Sequence, residues 1–503
     1  MADPILIWNY VALEANRRDH TGAMAAVNQR GPTRSSRALA MVHIAIHDAY
    51  FGAAPPGAGG NPGNHPTYLG ANLPNVPPGA AAHPDVSIAN AAHDVLVELY
   101  PSQRDMFADR LQELMATLGP TPTPPQQGAI TFGKDVARAI INLRRSDDMD
   151  ERAGQASPAI VPFPPFDPAK GRHRVDPFNP EQGLLGRGYG AVKHFVLPTW
   201  EPLDSPPGWA PRNPPAGMPP AVQPFNPNDP AYRRSLQEVR RLGRRAGSNR
   251  TPDQTAVALY WAYDGAMNLG TPPRLYNQIL RKIVTARSEP VHRNARLFAL
   301  VNAAMADAAI DAWYYKYFYN LWRPVVGIRE DDPSLGPETS AGRPINADAD
   351  PFWEPLGSPR TNEVGARAFT PQFPAYPSGH ATFGAAAFEV VRLFYKVPPE
   401  RRDEITVDFV SDELDGMNRD SDGSVRTRHE RRFPSLLDVI FENGVSRVYL
   451  GVHWDFDATT ADEAKQLLNL KNNVGGIPLG RRIAQEIFRQ GFHPHQLKSP
   501  AKP

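Results

Sequence analysis

The 503-residue chain contains no cysteine, which removes disulfides, thiolate nucleophiles, zinc–thiolate sites and cysteine-ligated iron–sulfur clusters together. Long apolar runs are missing as well: no stretch of about 18 uninterrupted apolar residues occurs. Met1 to His20 lacks a basic start followed by an apolar block, and Glu14 interrupts it. Neither a membrane span nor an ordinary secretory signal is therefore expected. The expectation is a soluble protein with no membrane partner, its compartment open between the cytoplasm and export by another route. An excess of one charge is lacking too, since 54 Lys and Arg face 53 Asp and Glu. With a net charge of +1 there is no global field to attract nucleic acid or an anionic membrane. Any anion site must be local.

Strand-like alternation is scarce, and helical periodicity is abundant. Apolar residues recur at helical spacing from Ile5 to Asn16 and from Ser35 to Phe51, where Ala38, Met41, Val42, Ile44 and Ala45 give a buried face. Further helices are expected at Val86–Tyr100, Gln103–Leu118 and Gln126–Arg145, punctuated by Pro101 and Gly119. A second helical half begins near Tyr232. Its clearest start is Thr251-Pro252-Asp253-Gln254, with Thr as cap, Pro at the first helical position and Gln closing the box. Asn277–Ala286, Pro290–Tyr319, Gly379–Val397, Ser435–Tyr449, Ala461–Leu470 and Leu479–Arg489 complete the set.

The 55 prolines, roughly twice average usage, lie between these runs and imply long ordered loops. Residues 156–235 are too proline-rich for a helix and alternate too little for strands. The interleaved Phe163, Phe166, Phe178, Phe195 and Trp200 argue against disorder, so an ordered wrap is expected. The fold class is all-α: two helical bundles, residues 1–155 and 236–503, joined by the wrap at 156–235.

Two motifs invite a metal reading and do not sustain it. His43 and His47 are four apart with Asp48 adjacent, a spacing that suits a metal on one helix face. No third ligand motif lies near, so a core or partner-facing pair is expected. Asn418-Arg-Asp420-Ser-Asp422-Gly423 begins like a calcium loop, but position twelve is His429 and Glu430 falls one later. A solvated loop over 411–432 is expected.

Three other stretches carry more chemistry. In Phe373-Pro-Ala-Tyr-Pro-Ser-Gly-His-Ala-Thr-Phe383, Pro374 and Pro377 hold the approach extended, and Ser378 and Gly379 expose amides at a helix start beside His380. Such a terminus offers free N–H donors and the positive end of a dipole, an anion cradle. Lys316 and Arg323, seven apart, are read as one face of one helix that Pro324 ends, leaving the guanidinium at a terminus where its fork can grip an oxyanion. The aromatics Tyr315, Tyr317, Phe318, Tyr319 and Trp322 around them exclude a plain solvated face. In Ser446-Arg447-Val-Tyr-Leu-Gly-Val-His453-Trp-Asp-Phe-Asp457, the carboxylate one helical turn after His453 can fix its tautomer and raise its basicity. Arg447 adds a third cation.

In order, Lys316-x6-Arg323-Pro324, Pro377-Ser378-Gly379-His380 and Ser446-Arg447-x5-His453-x3-Asp457 resemble the signature of the vanadium-dependent haloperoxidases. These share a superfamily with the type-2 phosphatidic acid phosphatases and bacterial acid phosphatases. Trp261-Ala-Tyr-Asp264-Gly, Gly270-Thr-Pro-Pro-Arg-Leu-Tyr-Asn277 and Ala45-Ile-His-Asp-Ala-Tyr50 are similar to the chloroperoxidase branch in particular. The similarity runs through most of the chain and thins across the proline-rich middle. It implies a vanadate cofactor, with hydrogen peroxide, halide (bromide and chloride) and small organic acceptors as partners; homo-oligomerisation stays open. By the same resemblance Lys316, Arg323, Ser378, Gly379 and Arg447 hold vanadate oxygens, His453 bonds the metal, and His380 is the acid–base group. Asp264 pairs with Arg447, Asp457 supports His453, and Trp313 and Phe373 line the halide pocket. The alternatives are an acid phosphatase with His453 as nucleophile and a non-catalytic helical scaffold.

Overall fold

A computed structural model describes residues 3–21, 27–53, 65–119, 121–147, 160–161, 171–209, 225–330, 349–460 and 472–494. Thirteen α-helices lie among the described residues. The first bundle contains α1 (Pro4–Asp19), α2 (Gly31–Ala53), α3 (Pro84–Leu99), α4 (Arg104–Ala116) and α5 (Pro124–Leu143). The second contains α6 (Pro230–Leu242), α7 (Pro252–Tyr260), α8 (Pro272–Ala286), α9 (Val291–Tyr319), α10 (Pro324–Glu330), α11 (Gly379–Phe394), α12 (Leu436–Tyr449) and α13 (Gly476–Gln490). The helix expected at Ala461–Leu470 lies outside the described residues, as do Phe163 and Phe166.

Some of the proline starts helices. It occupies the first turn of α1, α3, α5, α6, α7, α8 and α10, where its missing N–H would be unsatisfied in any case. Asp3, Asp229 and Thr251 cap α1, α6 and α7 through side-chain oxygens, and the Thr251–Gln254 box forms as its sequence implies.

One continuous apolar core runs from Ile5 to Phe492 through both bundles. Its centre is α9, buried on every side from Leu297 to Trp313, as befits a helix that is apolar all round. Alanines 303, 304, 306, 308 and 309 let α2 pack on one side of it and α11 on another. α11 in turn packs on α12 and α13. We propose a boundary near residue 155 and, because 236 falls inside α6, a second at the start of that helix at Pro230.

Two buried carboxylates on α9 tie down the described part of the wrap. Asp307 accepts from the backbone N–H of Phe195, Val196 and Leu197 at 2.5, 3.0 and 3.0 Å. Asp311 accepts from His194 at 2.6 Å and from the Glu201 N–H at 2.9 Å. A segment that proline deprives of regular pairing thus has its backbone donors satisfied by side chains of the central helix.

Strands are more definite than the sequence suggests at one place. Val407–Val410 (β3) pairs antiparallel with Glu430–Phe433 (β4) in register Val407 to Phe433, flanking the 411–432 loop; Ile160–Val161 (β1) and Leu184–Leu185 (β2) form a shorter pair. The loop is not simply solvated either: Glu413 is fully buried against Arg426 and Thr361. Asp422 accepts from the Ser424 N–H at 2.8 Å and from its hydroxyl.

The His43/His47 motif of the first bundle is core. His43 donates from Nδ1 to the Leu39 carbonyl at 2.7 Å and faces Asn9 at Nε2, while His47 pairs with Asp48 at 2.8 Å. The two rings serve different partners and do not converge on a common point.

Candidate active site

The cradle starts with α11. Ser378 is its cap, its hydroxyl accepting from the Ala381 N–H at 3.4 Å. Gly379 and His380 form the first turn, with amides left over by the helix ladder. The approach includes a cis Tyr376–Pro377 peptide, so it is not extended throughout. The Ser378 N–H donates to the Asp457 carbonyl at 2.8 Å, joining the second and third motifs through the backbone.

Lys316 and Arg323 do not share a helix, contrary to the reading from spacing. α9 ends at Tyr319, where Asn320 takes a left-handed φ of 50° and its N–H returns to the Lys316 carbonyl. The chain turns, and Pro324 opens α10 instead of closing α9. Both cations nonetheless reach one place and are fully buried. The Lys316 ammonium donates to the carbonyls of Pro374, Ala375 and Pro377, two of them at 3.0 Å. All its protons are thereby used in holding the cradle loop. Arg323 donates from Nε to the Phe373 carbonyl at 2.9 Å, and from Nη1 to the Val452 carbonyl and to His453 Nε2, both at 2.8 Å.

His453 and Asp457 also depart from the helical spacing. α12 ends at Tyr449, and Gly451 turns the chain at φ 72°; a Cβ there would sit 2.4 Å from the Gly243 carbonyl oxygen, so only glycine fits. A short 3₁₀ turn at Asp455–Asp457 then folds the carboxylate back. Asp457 Oδ2 lies 2.7 Å from His453 Nδ1 and accepts the Trp454 N–H at 3.0 Å. Arg323 is a donor with no acceptor. His453 therefore carries its proton on Nδ1, towards Asp457, and presents a lone pair at Nε2. Burial, then Arg323 and Lys316, hold this imidazole well below the usual histidine range. Burial raises Asp457 to about 7.

Arg447, near the end of α12, donates from Nη2 to Asp264 at 2.7 Å and to the Ser358 hydroxyl at 3.4 Å. Although Asp264 is desolvated, Arg447 and then His380 bring its carboxyl below the ordinary value. His380 Nε2 lies 2.8 Å from the Ala262 carbonyl, so it donates there and Nδ1 is left with a lone pair. Burial and Arg447 pull this imidazole down to about 3.

Aromatic rings close one side. Trp313 and Phe373 have centroids 4.7 Å apart, and the Phe373 ring lies 5.1 Å from both Lys316 Nζ and the Arg323 guanidinium carbon. Trp313, Phe373, Gly379, His380, Arg447 and His453 all line a cavity of about 720 Å³. The more exposed Arg30 and Glu181 line it as well, with His20 and Arg360.

All eleven side chains and amides expected from sequence thus gather around this cavity or directly behind its wall. Others were not singled out. The Asn443 amide donates at 2.7 Å to the His380 carbonyl, and the Tyr276 hydroxyl donates to it at 3.2 Å. Asn443 was legible, four residues before Arg447 on one helix face. Ser358 and the Ala262 carbonyl arrive from loops and carry no local signal.

Three buried cations meet two carboxylates here, and the surplus is visible atom by atom. Arg323 Nη2, Arg447 Nε and Arg447 Nη1 are buried without a hydrogen-bond partner, an arrangement that costs free energy unless an acceptor comes. The donor set suits a tetrahedral oxyanion: N–H groups for several oxygens and one imidazole lone pair for the central atom.

A helical-bundle protein with an oxyanion nest under a carboxylate-held histidine is the class that this fold and site define. The family models for the vanadium chloroperoxidase N-terminal domain and the second helical-bundle domain match residues 2–181 and 296–467. The chain is 33% identical to the vanadium chloroperoxidase of Curvularia inaequalis, over 97% of this chain and 90% of that protein. Among solved structures, a bacterial vanadium-dependent iodoperoxidase aligns with TM-score 0.64 and 17% identity over 98% of each chain. A holo-type bacterial vanadium-dependent chloroperoxidase aligns with TM-score 0.58 and 18% identity, over 96% of this chain and 97% of that one. The chain belongs to the vanadium chloroperoxidase family. Its enzyme class is vanadium-dependent haloperoxidase, with vanadate as cofactor and hydrogen peroxide and halide as substrates. Among the described residues no helix is long and apolar enough to cross a membrane.

Proposed function

We propose that the enzyme oxidises bromide and chloride to hypohalous acid, which halogenates small organic acceptors, and that the residues of the nest divide the work as follows. Arg323, Arg447, the Ser378 hydroxyl and the Gly379 amide would hold the oxygens of vanadate, and His453 would bond the metal through Nε2 once Arg323 Nη1 gives up that nitrogen for an oxyanion. Lys316 joins them by exchanging one of its three carbonyl partners for an oxyanion. When bound, vanadate supplies a Lewis-acidic centre on which peroxide is activated towards halide.

The observation that carries this reading is the set of three unpartnered guanidinium nitrogens beside an imidazole Nε2 whose one neighbouring donor is the Arg323 guanidinium. Asp457 holds the His453 proton on Nδ1 and so leaves Nε2 unprotonated as the ligating nitrogen. His380, anchored through Nε2 to the Ala262 carbonyl, takes and returns a proton at Nδ1. Asp264 limits the surplus positive charge by pairing with Arg447. Trp313 and Phe373 make a dry wall for the halide. The cavity, at about 720 Å³, is within the range of small-molecule sites and leaves room for an organic acceptor beyond the nest.

The test is reconstitution of the purified chain with orthovanadate. Vanadium stoichiometry is measured, and halogenation of a phenol dye is followed with peroxide and each halide. One vanadium per chain and turnover with both halides is expected. Phosphate-ester hydrolysis with no halogenation would replace this reading by the acid phosphatase.

A further inference from the structure

His47 and Asp48 take no part in the reaction, yet they sit behind a second cavity. It measures about 580 Å³ and lies between the start of α9 and the C-terminal ends of α11 and α13. Leu300, Phe394, Ile487 and Phe488 give it apolar walls, and Phe488 remains 38% exposed. Its charged lining is of one sign: Arg293, Arg296 and Lys396 face it, and no acidic residue does among the described residues.

Arg293 is engaged with Glu289, whereas Arg296 meets no carboxylate among the described residues. Arg296 donates from Nη1 to His47 Nε2 at 3.4 Å, and its guanidinium carbon lies 4.9 Å from the Phe492 ring centre. His47 Nδ1 is held by Asp48 at 2.8 Å. Asp48 is itself fixed by the N–H groups of Tyr68 and Leu69 at 2.6 and 2.8 Å. A carboxylate–imidazole–guanidinium chain thus orients the fork, while Nε and Nη2 of Arg296 make no hydrogen bond to the described residues. Partial burial lowers Arg296 to about 10, so it stays charged at neutral pH.

We propose that this cavity binds an amphiphilic monoanion, a medium-chain or aryl carboxylate, with its carboxylate on the Arg296 fork and its apolar body along Leu300, Phe394, Ile487 and Phe488. A volume of about 580 Å³ is in the range of small-molecule sites, and such sites combine apolar walls with a few fixed polar groups. A planar fork with two free N–H positions selects a carboxylate over a neutral head.

The test titrates the vanadate-loaded full-length enzyme with decanoate, decanol and inorganic phosphate by calorimetry, so that the catalytic nest is already filled. Decanoate is expected to saturate one site at submillimolar concentration, with decanol and phosphate each at least about tenfold weaker, as for a charge-assisted pair joined to an apolar body. Arg296→Gln should weaken decanoate at least about tenfold, and Phe488→Ser, at a partly exposed wall position, about threefold. Melting curves confirm that both variants fold, and bromide oxidation should be unchanged in both. Equal affinity for decanol and decanoate, or full decanoate affinity in Arg296→Gln, would overturn the proposal. So would binding seen only with phosphatidylglycerol vesicles and not with free decanoate, which would assign the patch to a membrane surface.

Discussion

The chain builds the same three-group unit twice, Asp457–His453–Arg323 in the second bundle and Asp48–His47–Arg296 between the two. In each, a carboxylate holds Nδ1 of a buried imidazole, at 2.7 and 2.8 Å, and Nε2 accepts from a guanidinium, at 2.8 and 3.4 Å. The difference lies in what surrounds the unit. Around His453 stand Lys316, Arg447 and a helix N-terminus, with buried N–H groups left unpaired. Around Arg296 there is an apolar wall and open cavity. A histidine–aspartate pair therefore does not define a catalytic site. Surplus buried positive charge does, because its unpaired donors favour an anion in the site.

The largest effect expected from breaking this comparison is at the histidine proposed to bond vanadium. His453→Ala should abolish stoichiometric vanadium retention, since the other imidazole of the nest, His380, is anchored through Nε2 to the Ala262 carbonyl and assigned to proton transfer. His47→Ala should leave retention intact and cost about 1–3 kcal/mol of stability from the buried partners it strands. Vanadium analysis of the two desalted variants checks both, and a vanadium-replete, fully active His453→Ala protein would refute the assignment. Next in size, His380→Ala should keep vanadium yet lower kcat by about 10²–10⁴, the usual weight of a positioned acid–base group. Loss of metal and turnover together would make His380 a binding residue instead.

Acid sensitivity sharpens the comparison further. Burial lowers His43 to about 4 and His380 to about 3, and it lowers His47 and His453 as well. A base depressed in the folded state leaves the unfolded chain binding more protons below about pH 6.5. Stability is then complete above that pH and falls as the pH drops towards the folded values, by up to about 1.4 kcal/mol per pH unit for each such group. An anion in the nest favours protonated His380 and His453 but is remote from His43 and His47. Phosphate should therefore recover part of the melting temperature lost by the apoprotein between pH 7 and 4.5, and His453→Ala should recover less. Identical recovery in both proteins would show that the nest histidines are not the source.

How much of this was legible follows from chain distance. The cradle, the two arginines and His453 each belong to a short motif whose residues are fixed by local geometry, and the halves of Thr251-Pro252-Asp253-Gln254 meet through one helical turn. Helix membership around Lys316 was misjudged because Asn320 in a left-handed turn leaves no periodic trace. Nothing local marks Asp307 and Asp311 as anchors of the wrap, since their partners lie more than a hundred residues away. Ser358 reaches Arg447 across a comparable gap. The strand at 407–410 alternates, with Val407 and Phe409 buried and Asp408 exposed, but over only four residues, and its partner Glu-Arg-Arg-Phe at 430–433 has a single apolar residue.

The smallest effect concerns halide choice, at a residue that touches the nest without hydrogen-bonding to it through its side chain. The Phe373 ring contacts Trp313 and stands 5.1 Å from both Lys316 Nζ and the Arg323 guanidinium carbon, so it contributes an apolar wall and a weak attraction for two cations. Phe373→His replaces that wall with a polar ring whose lone pair competes for the same cations and whose hydrogen bonding shifts the titration of His380. Chloride is harder to oxidise and more strongly hydrated than bromide, so it depends more on a dry pocket and a fully polarised oxidant. The chloride-to-bromide ratio of kcat/KM should fall about threefold, roughly 0.6 kcal/mol, and chloride oxidation should fail at a higher pH than in the parent while bromide oxidation is largely retained. Profiles of that ratio from pH 4 to 8 decide it: superimposable curves would mean that Phe373 does not face the halide.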